Sequence, residues 1–192
     1  MKKAVYILLF ILLASSSLAA EELLINSKDW KDVYSGMQYG YLAEENPRFL
    51  VSSRHSRLIL NDIPKGSNVT ILSSEDEPYV TGQEFIMENE GYNAQETVTD
   101  ETNLELARKL EDISNYIIVD DSYGYNAVAV APYAIVSNSF VLFADSQNID
   151  SVEGFLDDTD VEDILIYGHV DREVRNALEG YDPEIINENG DR

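Results

Sequence analysis

The sequence predicts an α/β fold made of two tandem units, each with a short parallel sheet between layers of helices. Two observations carry this prediction. Short apolar runs without polar alternation recur along the chain, as in strands that are buried on both faces of a parallel sheet. Segments with helical spacing of apolar residues lie between them, and the whole pattern occurs twice. Alternating strands and helices of this kind form a layered sandwich.

The first twenty residues have the composition of a secretory signal peptide. Lys2 and Lys3 precede an apolar run from Ala4 to Ala14, and small residues follow up to Ala20. A basic start, a short apolar segment and small residues at the exit are typical of exported proteins. The run is shorter than the ~20 residues that span a bilayer, although an uncleaved N-terminal anchor is the alternative. We therefore expect residues 1–20 to direct export and the protein to be secreted or on the cell surface.

The composition excludes several classes of function. The chain has 36 acidic and 13 basic residues, a net charge of -23, whereas binding to nucleic acid or to a bare anionic membrane needs a basic face. It has no cysteine, and so no disulfide, thiolate nucleophile or cysteine-ligated metal. The Gly-rich phosphate loop, the HExxH motif and the Gly-x-Ser-x-Gly elbow are also absent from the sequence. We therefore expect a non-catalytic protein without a cofactor.

One unit of sequence occurs twice. The run Leu23–Ser27 corresponds to Ile117–Asp121 at an offset of 94 residues, and the same offset aligns Asp32 with Asn126. Later apolar runs correspond at similar offsets, which loop insertions would explain. The sequence therefore predicts two diverged copies, residues 22–95 and 96–185, followed by a tail or the start of a further repeat at 186–192.

Each copy is predicted to contain three strands. These are Leu23–Ile25, Phe49–Val51 and Val69–Leu72 in the first copy, and Tyr116–Val119, Phe140–Phe143 and Ile164–Tyr167 in the second. Helices are predicted at Asn103–Ile113, Ala127–Val136, from Asp150 onward, and at Asp171–Leu178. The segment Ala127–Val136 is apolar all round, so we expect a buried helix that Pro132 kinks. The arrangement is Rossmann-like, in three layers.

An ordered series of motifs covers residues 100–180. Asp100–Ala107 is a polar segment leading into a helix, Tyr116–Val119 is an apolar strand, and Asn126–Ala134 is an Ala- and Pro-containing helix. Two further strands follow, and the second of them runs into Gly168-His169 and a short final helix. In order and spacing this series resembles the cell wall-binding repeat 2 family of secreted and surface-layer proteins.

The resemblance implies tandem α/β units that bind anionic wall polymers without a covalent link. Asn126 stands where that family has Asp, and His169 stands where it has a second Gly. A chain this acidic would need bridging cations to bind an anionic polymer. The resemblance therefore supports the fold more strongly than it supports the ligand.

Polar residues follow the predicted strands at their carboxyl ends, where ligands bind in parallel α/β sheets. In the first copy they are Asn26, Ser27, Asp29, Trp30 and Asp32, and in the second they are Asp120, Asp121, Ser122, Tyr123, Asn126 and His169. Acids, amides and aromatic rings in one place are typical of a carbohydrate site. Helix capping is the alternative for Asp32 and Asn126, and packing against a helix is the alternative for Trp30.

The densest acidic cluster contains Asp157, Asp158 and Asp160. Carboxylates are the hard oxygen ligands that Ca²⁺ prefers, so this cluster is a candidate site for weakly bound Ca²⁺. It lacks the central Gly and terminal Glu of a twelve-residue calcium loop, and a solvated acidic loop is the alternative.

These features together predict a secreted, non-catalytic cell-surface module. It would attach to a cell-envelope polymer or to a surface-layer protein, through several weak contacts that add up. One alternative is a secreted hydrolase that acts on envelope carbohydrate through acidic residues. The other is a cation-dependent, self-assembling lattice subunit, which would be a homo-oligomer.

Overall fold

The computed structural model describes residues 21–122 and 124–187 and contains two four-stranded parallel sheets flanked by helices. The predicted α/β fold with two Rossmann-like units is confirmed. The expected signal peptide and Tyr123 lie outside the described residues. Within the described ranges, no helix has both the length and the hydrophobicity needed to cross a membrane.

The first sheet has the spatial order β2-β1-β3-β4. Its strands are β1 (Glu22–Asn26), β2 (Asn46–Phe49), β3 (Asn68–Ser74) and β4 (Asn93–Thr99). The helices of this unit are α1 (Trp30–Leu42), α2 (His55–Leu58), which continues into a 3₁₀ turn at Ile59–Asn61, and α3 (Gln83–Asn89). Helix α4 (Thr102–Arg108) then leads into the second unit.

The second sheet repeats this order as β6-β5-β7-β8. Its strands are β5 (Asn115–Val119), β6 (Ser139–Phe143), β7 (Asp163–Tyr167) and β8 (Glu184–Ile186). Its helices are α5 (Gly124–Val136), α6 (Ile149–Asp157) and α7 (Arg172–Leu178), followed by a 3₁₀ turn at Glu179–Tyr181. The two units therefore share one topology.

The units also correspond in register. Leu24 lies between Arg48 and Ile71 on the neighbouring strands, and Ile118 lies between Leu142 and Ile166. Leu24 and Ile118 are both fully buried and are separated by the offset of 94 residues seen in the sequence. Helices α1 and α5 have this offset too, and each has 13 residues.

The strand predictions are wrong in two respects. Each sheet has four strands rather than three. The fourth strands, β4 and β8, were not predicted because their residues are mostly exposed and do not form a buried apolar run. The second strand of the first unit is Asn46–Phe49 rather than Phe49–Val51, and Val51 is 56% exposed beyond its end. Strands β4 and β8 continue past residues 95 and 185, where the two copies were expected to end.

Two helix predictions also need correction. Helix α4 ends at Arg108 rather than Ile113, although Leu110 and Ile113 stay buried in the loop that follows. Helix α5 continues through Pro132 but is not buried all round. It buries mainly small side chains toward the sheet, whereas Val128 and Val136 are 68% and 86% exposed.

One hydrophobic cluster extends across both units. Leu23 and Ile25 of β1 belong to it, and so do Ile118 of β5 and Leu142 of β6. Helix α4 lies between the two sheets and contributes Leu104, Leu106 and Ala107 to the same cluster. Burial of apolar surface is the main favourable term in folding, so this shared cluster holds the two units together.

Candidate functional site

Asn26 lies at the carboxyl end of β1, as predicted, but its side chain is fully buried. Its Nδ2 donates to Ser73 Oγ at 2.8 Å and to the Val80 carbonyl at 2.6 Å. Its Oδ1 accepts the backbone N–H groups of Tyr79 at 3.0 Å and of Val80 at 3.2 Å. These bonds use both donors and both lone pairs of the amide. Asn26 therefore holds the loop after β3 over the end of the sheet.

The start of helix α1 brings charged residues to the junction of the two units. Asp29 caps the helix, because its Oδ1 accepts the backbone N–H of Lys31 at 2.9 Å. The buried Ser27 Oγ accepts the N–H of Asp29 at 3.0 Å. Lys31 Nζ lies 2.9 Å from Asp121 Oδ2 and 3.6 Å from Asp29 Oδ2. The ammonium of Lys31 thus joins a carboxylate from each unit.

The pKa values of two groups at this junction are raised, for different reasons. Burial lowers the pKa of Lys31, but its hydrogen bond to Asp121 and the charges of Asp29 and Asp121 outweigh this, so the pKa is raised overall. Burial raises the pKa of Asp32, while hydrogen bonds from Ser27 and Thr102 partly offset the rise. Asp32 therefore keeps its proton to higher pH than an exposed aspartate does. The residue that caps the helix is Asp29 and not Asp32.

A small cavity lies beside these charges. It has a volume of about 130 Å³, and its lining includes Asp29, Asp32, Thr102 and Phe143. Ligand sites for small molecules usually have ~300–1,000 Å³, so this cavity is below the usual size of a ligand site.

Trp30 packs at the same junction. Its ring contacts the ring of Phe143 edge-on, with 5.2 Å between the centroids. It also lies against Gly124, where an added Cβ would come within 3.2 Å of the indole. The side chain stays 38% exposed. Trp30 therefore packs between the two units and does not present an open ring face.

Asp120, Asp121 and Ser122 follow β5, and their contacts differ. Asp120 Oδ1 accepts the backbone N–H of Ser122 at 2.9 Å. Asp121 faces the first unit and pairs with Lys31. Tyr123, the fourth predicted residue of this loop, lies outside the described residues.

Asn126 and His169 also lie apart from the junction cavity. Asn126 lies in the first turn of α5, against Gly168, which has a φ of +86°. A Cβ at Gly168 would come within 2.5 Å of the Asn126 amide nitrogen, so a glycine is required there. His169 is exposed, and its Nδ1 lies 3.4 Å from a guanidinium nitrogen of Arg175.

The acidic residues Asp157, Asp158 and Asp160 do not converge. Asp157 accepts a hydrogen bond from the hydroxyl of Tyr181, while Asp158 and Asp160 are exposed and line a neighbouring groove. Across residues 21–122 and 124–187, no group of three or more His, Asp and Glu side chains is placed to hold a metal ion. The three side chains are therefore not gathered around a common point, and the calcium site stays a prediction.

A broad groove lies at the opposite end of the second sheet from the junction, near the amino ends of β5 and β7. It has a volume of about 740 Å³ and runs between helix α6 and the loop after α4. Apolar side chains in its lining include Leu110, Ile113, Tyr116 and Phe155, and polar ones include Arg108, Glu111, Asp112, Ser114, Asp158, Thr159 and Asp160. The groove thus combines apolar surface with hydroxyl and carboxylate oxygens.

Two sets of contacts fix the walls of this groove. The Tyr116 hydroxyl donates to the Ile113 carbonyl at 2.9 Å, and its ring meets Phe155 edge-on at 5.5 Å. Ser114 Oγ donates to Glu162 Oε2 at 3.0 Å, and the Glu162 N–H donates to the Ser114 carbonyl at 2.8 Å. Burial raises the pKa of Tyr116 to about 12, so its hydroxyl keeps the proton that it donates. The groove is therefore preformed.

Sequence reasoning missed this groove because it placed ligands at the carboxyl ends of the strands. One residue does signal it. Gly154 lies inside helix α6 in the groove lining, and nothing lies within 4 Å of where its Cβ would be. Glycine inside a helix costs about 1 kcal/mol relative to alanine, and no packing contact at Gly154 requires it. At Gly154 the wall of the groove therefore carries no side chain.

The groove and the junction cavity differ in size and in character. The groove is large and open, whereas the cavity is small and lies among residues that hold the two units together. No family model, curated protein or solved structure matches the chain. What the protein does must therefore be inferred from its own surfaces and charges.

Proposed function

We propose that the protein is an exported, non-catalytic module of the cell envelope, and that the groove between α6 and the loop after α4 binds envelope carbohydrate. The groove itself carries the proposal. Its volume of about 740 Å³ lies within the ~300–1,000 Å³ that is usual for ligand sites. Sugar hydroxyls are hydrogen-bond donors that match the oxygen-rich rim of the groove, and the apolar side chains of its lining, each at most 9% exposed, form a floor beneath the sugar ring.

The charge of the rim restricts the ligand. Glu111, Asp112, Asp158 and Asp160 supply four carboxylates, and Arg108 supplies a basic side chain. Like charges repel, so an anionic wall polymer would bind here only through bridging cations. A neutral glycan fits the groove without them, because its hydroxyls donate to the carboxylates.

Two sequence features support an envelope role. Residues 1–20 have the composition of a signal peptide, and residues 100–180 resemble the cell wall-binding repeat 2 family. Asn26 and Asp29, which follow β1, are engaged in bonds that fix a loop and a helix, so the proposal does not place the ligand there.

A hydrolase that acts on envelope carbohydrate is the second candidate, and one observation favours it. Burial raises the pKa of Asp32, and Asp29 lines the same cavity. Glycoside hydrolysis uses a carboxylic acid with a raised pKa together with a second carboxylate. The cavity of about 130 Å³ beside them is below the usual size of a ligand site, and this favours the binding module.

Binding and turnover can be measured on the same purified envelope fraction. We expect saturable co-sedimentation of the exported protein with the envelope and no release of soluble sugar. Gly154→Leu fills the open wall of the groove and should weaken binding by about tenfold or more. Gly180→Leu adds the same side chain at another position with no atom within 4 Å and is the matched control.

Three other results would contradict all or part of this proposal. Sugar release that is lost in Asp32→Asn would support the hydrolase instead. Envelope binding that is the same in Gly154→Leu as in the unmodified protein, with both folded by circular dichroism, would remove the groove from the proposal. Absence of both binding and turnover would overturn the envelope role.

A further inference from the structure

Helices α1 and α5 occupy equivalent places in the two units, but only α1 has its outer face covered. The ring of Tyr34 on α1 meets Phe143 of β6 edge-on at 5.5 Å. The Tyr34 hydroxyl donates to the Ala127 carbonyl at 3.0 Å. Further along the helix, Gln38 Nε2 donates to the Ser139 carbonyl at 3.1 Å. One face of α1 thus covers the edge of the second sheet.

The equivalent face of α5 is exposed. At the offset of 94 residues, Tyr125, Val128 and Pro132 take the places of Lys31, Tyr34 and Gln38. We call these three residues, together with Val136, the α5 stripe. Tyr125 and Val128 are 70% and 68% exposed, and Val136 is 86% exposed. Helix α5 has no charged residue anywhere along its length, so the stripe is an apolar surface on a highly acidic protein.

The matching edge in the first unit is exposed as well. The N–H of Leu50 donates to the Ile25 carbonyl at 2.9 Å, as the N–H of Ala144 donates to the Val119 carbonyl at 3.0 Å. Phe49, at the end of the edge strand β2, is therefore the counterpart of Phe143, at the end of β6. Phe143 is 4% exposed beneath the α1 rings, whereas Phe49 is 37% exposed.

We propose that a second copy of this chain covers the α5 stripe, in a head-to-tail arrangement. The stripe of one copy packs on the β2 edge around Phe49 of the next copy, as α1 packs on the β6 edge within one chain. Pro132 replaces the amide of Gln38, so this contact between copies is apolar rather than hydrogen-bonded at that point.

The distribution of charge favours the same orientation. Arg48, Arg54 and Arg57 lie on or just after β2. Residues 110–187, by contrast, include 17 acidic and 2 basic residues. Complementary charge steers partners and fixes their orientation, and here it brings the arginines at the β2 edge of one copy to the acidic second unit of another. A head-to-tail contact of this kind does not close as a dimer and continues into a ring or filament.

Sedimentation equilibrium of the complete exported chain tests this inference. At high salt, which screens the net negative charge, we expect the average mass to rise with protein concentration beyond that of a dimer. Val128→Asp in the stripe and Phe49→Asp at the edge should each reduce the mass to that of a monomer. A mixture of the two variants should form a dimer and stop there, because each variant keeps one intact surface.

The control is Phe85→Asp on helix α3, a site that is 70% exposed and belongs to neither surface; this variant should associate like the unmodified chain. If Phe49→Asp does not fold, Val51→Asp, at a residue just beyond the end of β2 that is 56% exposed, replaces it. A monomer at every concentration overturns the proposal. Loss of association in Val128→Asp but not in the edge variants would show that α5 meets another α5 or a different partner, and would overturn it too. Self-association and carbohydrate binding use different surfaces, so either proposal can fail alone.

Discussion

The Gln38 side chain pairs with the backbone of Val141, since its Oε1 accepts the Val141 N–H at 3.0 Å. Its Nε2 donates to the neighbouring Ser139 carbonyl at 3.1 Å. Asn103 of α4 continues the pattern, donating to the Val141 carbonyl at 2.9 Å and accepting the Phe143 N–H at 3.2 Å. Two side-chain amides thus take the place of a neighbouring strand. Exposed sheet edges invite pairing with other chains, so these amides both join the units and protect the β6 edge.

Removing one of these amides tests its role. Gln38→Ala leaves the buried N–H of Val141 and carbonyl of Ser139 without their partner, so we expect the free energy of unfolding to fall by about 1–3 kcal/mol. Urea unfolding followed by circular dichroism measures the change. Gln147 is exposed, and Gln147→Ala should change the same quantity by less than about 0.5 kcal/mol. Equal changes in the free energy of unfolding of the two variants would mean that Gln38 does not stabilise the β6 edge.

Helix α1 shows why part of the fold could not be predicted. Its buried positions are Ser35, Gly36, Gln38, Tyr39 and Gly40. Apart from Tyr39, which belongs to the shared hydrophobic cluster, these residues are small or polar, so they give no apolar stripe of the kind that identifies a helix facing a core. They are buried because the helix lies very close to the first sheet and because Gln38 bonds to the second. Both causes are tertiary and leave no trace in local periodicity.

The strands were predictable to the extent that they are buried. Runs such as Leu23–Ile25 and Tyr116–Val119 are apolar throughout because both faces of the sheets are covered. Strand β4 lies at a sheet edge with a largely exposed pattern, so it lacks that signal. The contacts at the junction of the two units were not predictable for a related reason. Lys31 and Asp121 pair at 2.9 Å although 90 residues separate them, and no local motif predicts such a contact.

The close approach of α1 to the sheet gives a second prediction. An alanine Cβ at Gly36 would lie 2.4 Å from Ile25 Cγ1, and Ile25 is buried in the shared cluster. We expect Gly36→Ala to lower the free energy of unfolding by about 1–3 kcal/mol, as overpacking does. Gly154→Ala is the matched variant. Its Cβ meets nothing within 4 Å, so it should raise stability by about 0.5–1 kcal/mol. A stabilised Gly36→Ala would show that α1 can move away from β1.

Tyr116 gives a third prediction, which concerns the groove wall. Tyr116→Phe removes the hydrogen bond to the Ile113 carbonyl at 2.9 Å and keeps the ring contact with Phe155. Loss of such a bond should lower the free energy of unfolding by about 0.5–1.5 kcal/mol, measured by urea unfolding. Tyr41 is 63% exposed, and Tyr41→Phe removes the same hydroxyl at the surface as a control. If the free energy of unfolding falls by the same amount in both variants, the Tyr116 hydroxyl does not stabilise the loop.

Asp32 predicts a pH dependence whose sign follows from its burial. Burial raises its pKa above the value of 3.8 for an unfolded chain, so between these two values the folded state binds more protons than the unfolded state. The contribution of Asp32 to stability therefore falls as the pH rises from 3.8 through the folded pKa, and it is constant above that. Asp32→Asn removes this contribution, so the variant should gain stability relative to the unmodified protein as the pH rises.

The measurement is the difference in unfolding free energy between Asp32→Asn and the unmodified protein, from urea titrations between about pH 4 and pH 7. Burial also raises the pKa of Glu45, but Glu45 is present in both proteins and cancels from the difference. Asp76→Asn, at an exposed aspartate, gives the baseline for loss of a carboxylate. The Asn side chain loses some hydrogen bonding to Ser27 and Thr102, which shifts the difference by a constant but leaves its slope. A difference that falls with rising pH would mean that these two hydrogen bonds outweigh burial at Asp32.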